Sequence, residues 1–350
     1  MKVILAEKPS VARDLARVLK AKKRHDGYFE GNGYQVTWAF GHLVTLEEPD
    51  AYDPALKKWT FESLPFVPDQ YKLTLTKNKG IAQQFRIIKK LFQGATSLIC
   101  ATDAGREGEL IFRYILEKSR VKKPIQRLWI SSLTDKAILD GFRKLKDGKE
   151  FENLAAAARC RSQADWVVGL NATRAYTLQF SHGQGVLSVG RVQTPVLAMI
   201  VKRDQEIRNF KPEAFWDLFS HYRNTAFKYE KGRFEKVEDA EALYQKIEGQ
   251  SLTIDKVKQK KQSSPPPQLF DLTELQRQMN KKAKYSADKT LKIAQSLYEK
   301  KLLTYPRTDS RYLTDDLYPG CSATLKKLAD LKPSEIAQLD LSKLPRSKRF

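Results

Sequence analysis

The chain has 350 residues, 41% of them hydrophobic, enough for several domains with their own cores. Lys and Arg number 63 against 41 Asp and Glu, a formal net charge of +22 that points to a polyanionic partner, nucleic acid ahead of an acidic membrane surface. Cys100, Cys160 and Cys321 are scattered and form neither a disulfide framework nor a CxxC zinc site; no apolar run approaches the ~20 residues that span a bilayer, and the first residues lack the long apolar stretch of a signal peptide. These features predict reduced, cytosolic surroundings.

The predicted elements begin with a short buried strand, KVILA (2–6), then EKPS, then a helix in which Val11, Leu15, Val18 and Leu19 recur at helical spacing behind Pro9 and Ser10. The same strand–turn–helix order returns at SLICAT (97–102), DAGREGE (103–109) and LIFRYILEK (110–118), and RLWIS (127–131) reads as a third strand. Alternation of this kind predicts a parallel α/β sheet, with function collected beyond the carboxyl ends of the strands. Both acidic turns lie there.

From about residue 150 helices dominate. One long helical stretch runs through NLAAAARCRSQADWVVGLNATRAYTLQF, with Gly169 and Asn171 as a point of interruption. A glycine-rich segment, GQGVLSVGRVQTP, then opens another helix after Pro195. Pieces with β character, FWDLFSHY and LTIDKVK, flank a helix over VEDAEALYQKI. The clearest boundary is the Pro/Ser linker KKQSSPPPQ (260–268). Beyond it DLTE and SADK each open a helix, and KLLTYPRTDS follows as the strand of a helix-turn-helix-like unit. Four segments result: 1–150, an α/β domain; 151–212, helical; 213–268, β-containing with the linker; and 269–350, helical.

Glu7 after the first strand, with Asp103 and Glu107 after the later one, supplies three carboxylates at adjacent strand ends. Oxygen ligands in that number suit Mg²⁺, which keeps several of its waters. Lys8 adds a point charge, and Arg106 is a phosphate candidate. Trp59 either stacks on a base or packs internally, and His42 in FGHL reads as a structural histidine.

AEKPS followed by ATDAGREGE resembles the toprim domain of type IA DNA topoisomerases, and the resemblance continues in order through FGHL, RLWISSLTDKAI, RSQADWVVGLNATRA, SVGRVQTP, DLTELQR and TYPRTDSRYL. It implies an α/β toprim domain with mainly helical and mixed α+β domains, and an ATP-independent enzyme acting on single-stranded or negatively supercoiled DNA; no Walker motif is present. The resemblance makes Tyr305 the nucleophile that forms a 5′-phosphotyrosyl link, with Arg307 and Lys8 as its cations. Glu7 serves as metal ligand, acid/base group or both. Metal binding rests on Glu7, Asp103 and Glu107, although Gly105 stands where many toprim domains carry a further acid. DNA contacts are expected at Trp59, Arg161, Asp165, Thr173, Arg174 and the run Ser188, Val189, Gly190, Arg191, Val192, Gln193.

The family resemblance further implies a nucleoid-associated monomer with a helicase partner, and a polypeptide continuing beyond LPRSKRF. DNA binding is therefore expected of these 350 residues, with impaired cleavage and without full relaxation. Two other readings stay open: a toprim nuclease or primase in which Tyr305 is incidental, and a non-catalytic DNA-binding remnant.

Overall fold

Along β1 (Lys2–Ala6) the side chains alternate between two separate cores: Val3 and Leu5 enter one, Ile4 and Ala6 the other, all fully buried. A strand apolar on both faces is the signature of a sheet covered on both sides. The computed structural model describes residues 1–344 except 131, 265, 301, 314–316 and 343. The end of the expected strand at 127–131 and nearly all of the closing LPRSKRF therefore lie outside the described residues.

Two compact units emerge, one formed by Met1–Gly190 with Pro267–Phe350 and the other by Arg191–Pro266. The second break falls inside the expected Pro/Ser linker.

In the first unit, α1 (Pro9–Val18) follows β1, and β2 (Lys23–His25), β3 (Tyr28–Gly31) and β4 (Tyr34–Trp38) form a meander. The small ladder of β5 (Val44–Leu46) and β6 (Leu73–Leu75) brackets an excursion of three short 3₁₀ turns. Next come α2 (Lys79–Gly94), β7 (Ser97–Ala101), α3 (Arg106–Ser119), β8 (Ile125–Arg127), α4 (Asp135–Arg143) and β9 (Lys146–Asp147). The sheet order is β2-β3-β4-β1-β7-β8-β9. Its centre, β4-β1-β7-β8, is parallel as expected, but β2, β3 and β9 pair antiparallel, so the sheet is mixed. For β2 and β3 short connections cause this: two residues between β2 and β3 and two between β3 and β4 allow only hairpin returns, whereas a parallel return needs a crossover.

Residues of α2 and α3 share one core with Val3 and Leu5, and residues of α1 and α4 share the other with Ile4 and Ala6. The third strand falls earlier than expected, at Ile125–Arg127, and shares only Arg127 with RLWIS.

The helix α5 (Glu152–Phe180) runs for 29 residues without the expected interruption. Asn171 normally competes with helix by bonding its own backbone. Here its amide donates to Val167 O of the same helix at 2.8 Å without breaking it, and the side chain also accepts from Phe66 N at 2.6 Å and donates to Phe66 O at 2.9 Å.

In the second unit α6 (Gln193–Arg208) begins two residues before Pro195 and buries none of its residues. A hairpin of β10 (Phe219–Tyr222) and β11 (Thr225–Lys228) precedes α7 (Val237–Ile247). LTIDKVK is irregular rather than a strand, and its residues are exposed; with no partner edge the β-propensity of Ile254 and Val257 has nothing to pair with.

Back in the first unit, α8 (Leu272–Ala283) and α9 (Ala287–Glu299) start at the predicted caps: Asp271 Oδ1 accepts from Glu274 N at 2.7 Å and Ser286 Oγ from Lys289 N at 3.1 Å. No strand follows them among the described residues; 302–313 is irregular, and α10 (Cys321–Leu328) and α11 (Pro333–Ala337) come after it.

Burial on β7 pushes the Cys100 thiol up to about 11, while Cys160 on α5 is exposed. A thiol needs its thiolate to react. Iodoacetamide at pH 8 is therefore expected to alkylate Cys160 in the native protein and leave Cys100 unmodified until denaturant is added, as peptide mass spectrometry will read.

Candidate active site

The parallel register sets Ala6 beside Ala101, so the residues just past each strand, Glu7 and the Thr102–Asp103 turn, meet at one sheet end. Glu7 is 9% exposed, and its Oε2 accepts from Asp103 N at 3.1 Å. Burial first, and then the negative charge of Asp103, raises the Glu7 pKa above the ordinary carboxylate range. Lys8 relieves it with the opposite sign of charge, its Nζ 3.9 Å from Glu7 Oε1.

The Asp103 turn is gripped from below. Arg127, 1% exposed, donates through Nη1 to the carbonyls of Cys100, Thr102 and Leu128 and through Nη2 to Asp103 O at 2.7 Å. Its Nε is 3.2 Å from Glu109 Oε2, and Arg113 Nε donates to Glu109 Oε1 at 2.8 Å. A buried carboxylate shared by two guanidiniums satisfies the rule that buried charge is paired. It also joins α3 to the strand ends. From the α3 side, Thr102 Oγ1 donates to Gly108 O at 2.7 Å, and a Cβ on Gly108 would stand only 2.2 Å from Asp103 O. Only glycine permits this approach. Gly105 differs: its φ of −178° is extended, and a Cβ there would meet nothing within 4 Å.

Tyr305 arrives from the other end of the sequence. Lys8 Nζ lies 5.3 Å from the centre of its ring, and the Tyr298 ring meets it edge-on, centroids 5.4 Å apart. Glu7, Lys8, Asp103 and Tyr305 are thus brought together. Pro306 is buried, whereas Arg307 is exposed. Glu107, in the first turn of α3, turns instead to His42, with His42 Nε2 against Glu107 Oε1. No group of three or more potential metal-ligating side chains occurs among the described residues. The convergent carboxylates are therefore Glu7 and Asp103.

Beside them lies a groove of about 390 Å³ whose lining includes His42, Arg106, Glu107, Tyr114, Arg161 and Asp165. Arg174 is not on it. That side chain is 5% exposed, donates through Nη1 to Leu56 O at 2.9 Å and stacks its guanidinium on Trp59 at 5.2 Å. Trp59 is half-buried by this contact. Thr173 Oγ1 accepts from Val189 N at 2.9 Å and so holds the loop of Ser188, Val189 and Gly190 on α5. Arg191, Val192 and Gln193 open the second unit and are exposed.

From the sequence His42 has no site role, Tyr298 is only part of the apolar face of its helix, and Arg127 and Gly108 carry no role. FGHL and the helical spacing of Ala294 and Tyr298 were the available signals; nothing in the sequence marks Arg127 as the residue beneath the turn.

The sequence pattern of the toprim domain matches residues 2–133, and that of the DNA topoisomerase family matches residues 149–349. The chain is 50% identical over 333 residues to DNA topoisomerase 3 of Bacillus anthracis, spanning 93% of this chain and 45% of that protein. It is 49% identical over 325 residues to DNA topoisomerase 3 of Shouchella clausii, spanning 90% and 44%. The full-length topoisomerase I structure from Thermotoga maritima shares the fold, with a TM-score of 0.59 and 22% identity over 94% of this chain and 52% of that one.

The α/β sheet with its acidic strand ends is therefore a toprim domain. The chain as a whole belongs to the DNA topoisomerase family, as its ordered motifs imply. It spans less than half the length of the curated relatives it matches.

Gly108→Ala is expected to destabilise the fold by about 1–3 kcal/mol, because the methyl group meets backbone that cannot yield. Gly105→Ala should change stability by less than about 0.5 kcal/mol. Urea denaturation of the two variants followed by circular dichroism checks the contrast.

Proposed function

We propose that the chain provides the strand-cleaving centre of a type IA DNA topoisomerase, cutting and resealing one DNA strand without ATP through a 5′-phosphotyrosyl intermediate on Tyr305. The observation that carries this reading is the meeting of Tyr305 with Lys8, Glu7 and Asp103, residues from opposite ends of the sequence.

In the proposed step the Tyr305 phenol oxygen bonds to phosphorus and the bond from phosphorus to the 3′ oxygen breaks. The phenolic proton passes to solvent and the Glu7 carboxyl gives its proton to the 3′ oxygen, leaving a free 3′-hydroxyl. Lys8 balances the negative charge that develops on the attacking oxygen and on phosphorus. The raised Glu7 carboxyl is suited to hold a proton beside the leaving oxygen. Reversal, with the 3′-hydroxyl attacking the phosphotyrosine, reseals the strand. The exchanged esters are similar, so no external energy source is required.

A divalent cation, Mg²⁺ by its preference for oxygen, fits Glu7 and Asp103, whose paired negative charges it would relieve. When bound it would orient and polarise the phosphate. Glu107, engaged with His42, would contribute from one side.

In the first unit DNA contacts are assigned to the groove bearing Arg106, Arg161 and Asp165 and to Ser188, Val189 and Gly190; in the second unit they are assigned separately to the exposed Arg191, Val192 and Gln193. Thr173, Arg174 and Trp59 would act by holding those surfaces. The four segments 1–150, 151–212, 213–268 and 269–350 would serve as toprim, base, gate and tyrosine domains. We place the protein in the cytoplasm at the nucleoid, as a monomer with a helicase partner. Among the described residues no helix is long and apolar enough to cross a membrane.

End-labelled single-stranded DNA incubated with the protein and Mg²⁺, then denatured, is expected to leave label on Tyr305, located by peptide mass spectrometry. Tyr305→Phe should abolish the adduct, and Lys8→Ala should slow its formation ~100-fold. Cleavage that persists in Tyr305→Phe would show a nuclease instead.

A further inference from the structure

Among the described residues the irregular segment that carries Tyr305 is tied by few backbone hydrogen bonds. Leu302 N donates to Leu297 O at 2.9 Å on one side, and Leu272 N donates to Thr308 O at 3.1 Å on the other. Between them Leu302, Leu303 and Thr304 are exposed, as is Arg307, and Pro306 alone is buried. Backbone so held leaves the Tyr305 side chain to be oriented by what its ring touches.

Among the described residues the ring has a cation beside it, Lys8 Nζ, and an aromatic neighbour, Tyr298. They differ in kind. The ammonium is a flexible point charge on a half-exposed stem, able to follow the ring rather than fix it. Tyr298 is built into a helix. On α9 the residues Thr290, Ala294 and Tyr298 recur four apart, which stacks them on one face. Thr290 and Ala294 are 4% and 3% exposed, so this is the face α9 buries, and Tyr298 ends it. The two tyrosine rings meet at an interplanar angle of 68° with centroids 5.4 Å apart, the edge-to-face arrangement that aromatic pairs prefer.

We propose that Tyr298 is a positioning residue: the edge-to-face contact of its ring sets the Tyr305 phenol at the Lys8 and Glu7 end of the sheet. This rests on Tyr305 being the nucleophile. The contact is made by the ring, so the Tyr298 hydroxyl is dispensable. Phenylalanine should serve in its place, whereas an aliphatic side chain should not. Displacement of a reacting atom by about 1 Å costs ~100-fold in rate.

The test uses the full chain with an end-labelled single-stranded oligonucleotide and Mg²⁺. Single-turnover adduct formation is measured at saturating DNA, and DNA affinity by fluorescence anisotropy. Tyr298→Phe should form the adduct at the wild-type rate. Tyr298→Leu and Tyr298→Met should form it ~10–100-fold more slowly with unchanged DNA affinity. In protein labelled with 3-fluorotyrosine, the ¹⁹F resonance lost in Tyr305→Phe identifies Tyr305. That resonance should move in Tyr298→Leu through loss of the ring current, and this reading needs no turnover.

If wild-type protein forms adduct on Tyr305 and both aliphatic variants match its rate, or the Tyr305 resonance does not move, the positioning role is overturned alone. Failure of Tyr298→Phe to retain the rate also overturns it. If wild-type protein forms no adduct on Tyr305 while the resonance moves as expected, the nucleophile assignment falls and the role given to the ring contact falls with it.

Discussion

Two carboxylates that repel one another lie at the sheet end because β1 and β7 run parallel and in register, and the rest of the site is arranged around that constraint. Glu7 and the Asp103 turn leave their strands at the same level. Their proximity and the burial of Glu7 favour a bound proton, a cation or both. Lys8, the residue after Glu7, is the cation the chain itself brings. A sheet with one of these strands antiparallel would have sent the second acid to the opposite edge.

The stability of that end comes from charge placed one layer deeper. Glu109 sits in the first turn of α3, where the helix N-terminus favours a negative charge, and it is held by Arg113 and Arg127. Arg127 spends its remaining donors on the carbonyls that end β7 and begin the turn. A lysine could hold only one or two of those acceptors, since its donors radiate from a single atom. The acidic turn is therefore fixed by a planar guanidinium beneath it and by the glycine contact at Gly108, before any ligand arrives. Such preorganisation matters for phosphoryl chemistry, where position and charge account for most of the rate.

What could be read from the sequence follows local physics. The buried strand Lys2–Ala6, the helix opened by Pro9, the caps at Asp271 and Ser286, and the acids at strand ends all depend on neighbours a few residues apart, and each was legible. The continuity of α5 was not, because the side chain of Asn171 is satisfied by Phe66, 105 residues away. The same holds for Arg174. The family resemblance implied a nucleic-acid contact there, yet its guanidinium is turned inward to Leu56 O and Trp59. A strand was expected around Tyr305 from Leu302, Leu303 and Thr304, but strand propensity is realised only against a partner edge, and none is paired there among the described residues.

The irregularity around Tyr305 has its own logic. A strand would impose a period of two and fix each side chain to one face by backbone pairing. An irregular segment tied at Thr308 and Leu302 leaves the Tyr305 ring oriented by side chains, so its position can change without breaking a sheet. A residue proposed to bond to a DNA end and then let it go benefits from that arrangement, since the strand ends must part while the ester holds. The rigid partners, Glu7 and Asp103, are on the sheet; the adjustable one is Tyr305. Placing rigidity under the acids and freedom under the phenol allows the pocket to be assembled by approach rather than by folding, and the buried face of α9, through Thr290, Ala294 and Tyr298, is the element positioned to govern that approach.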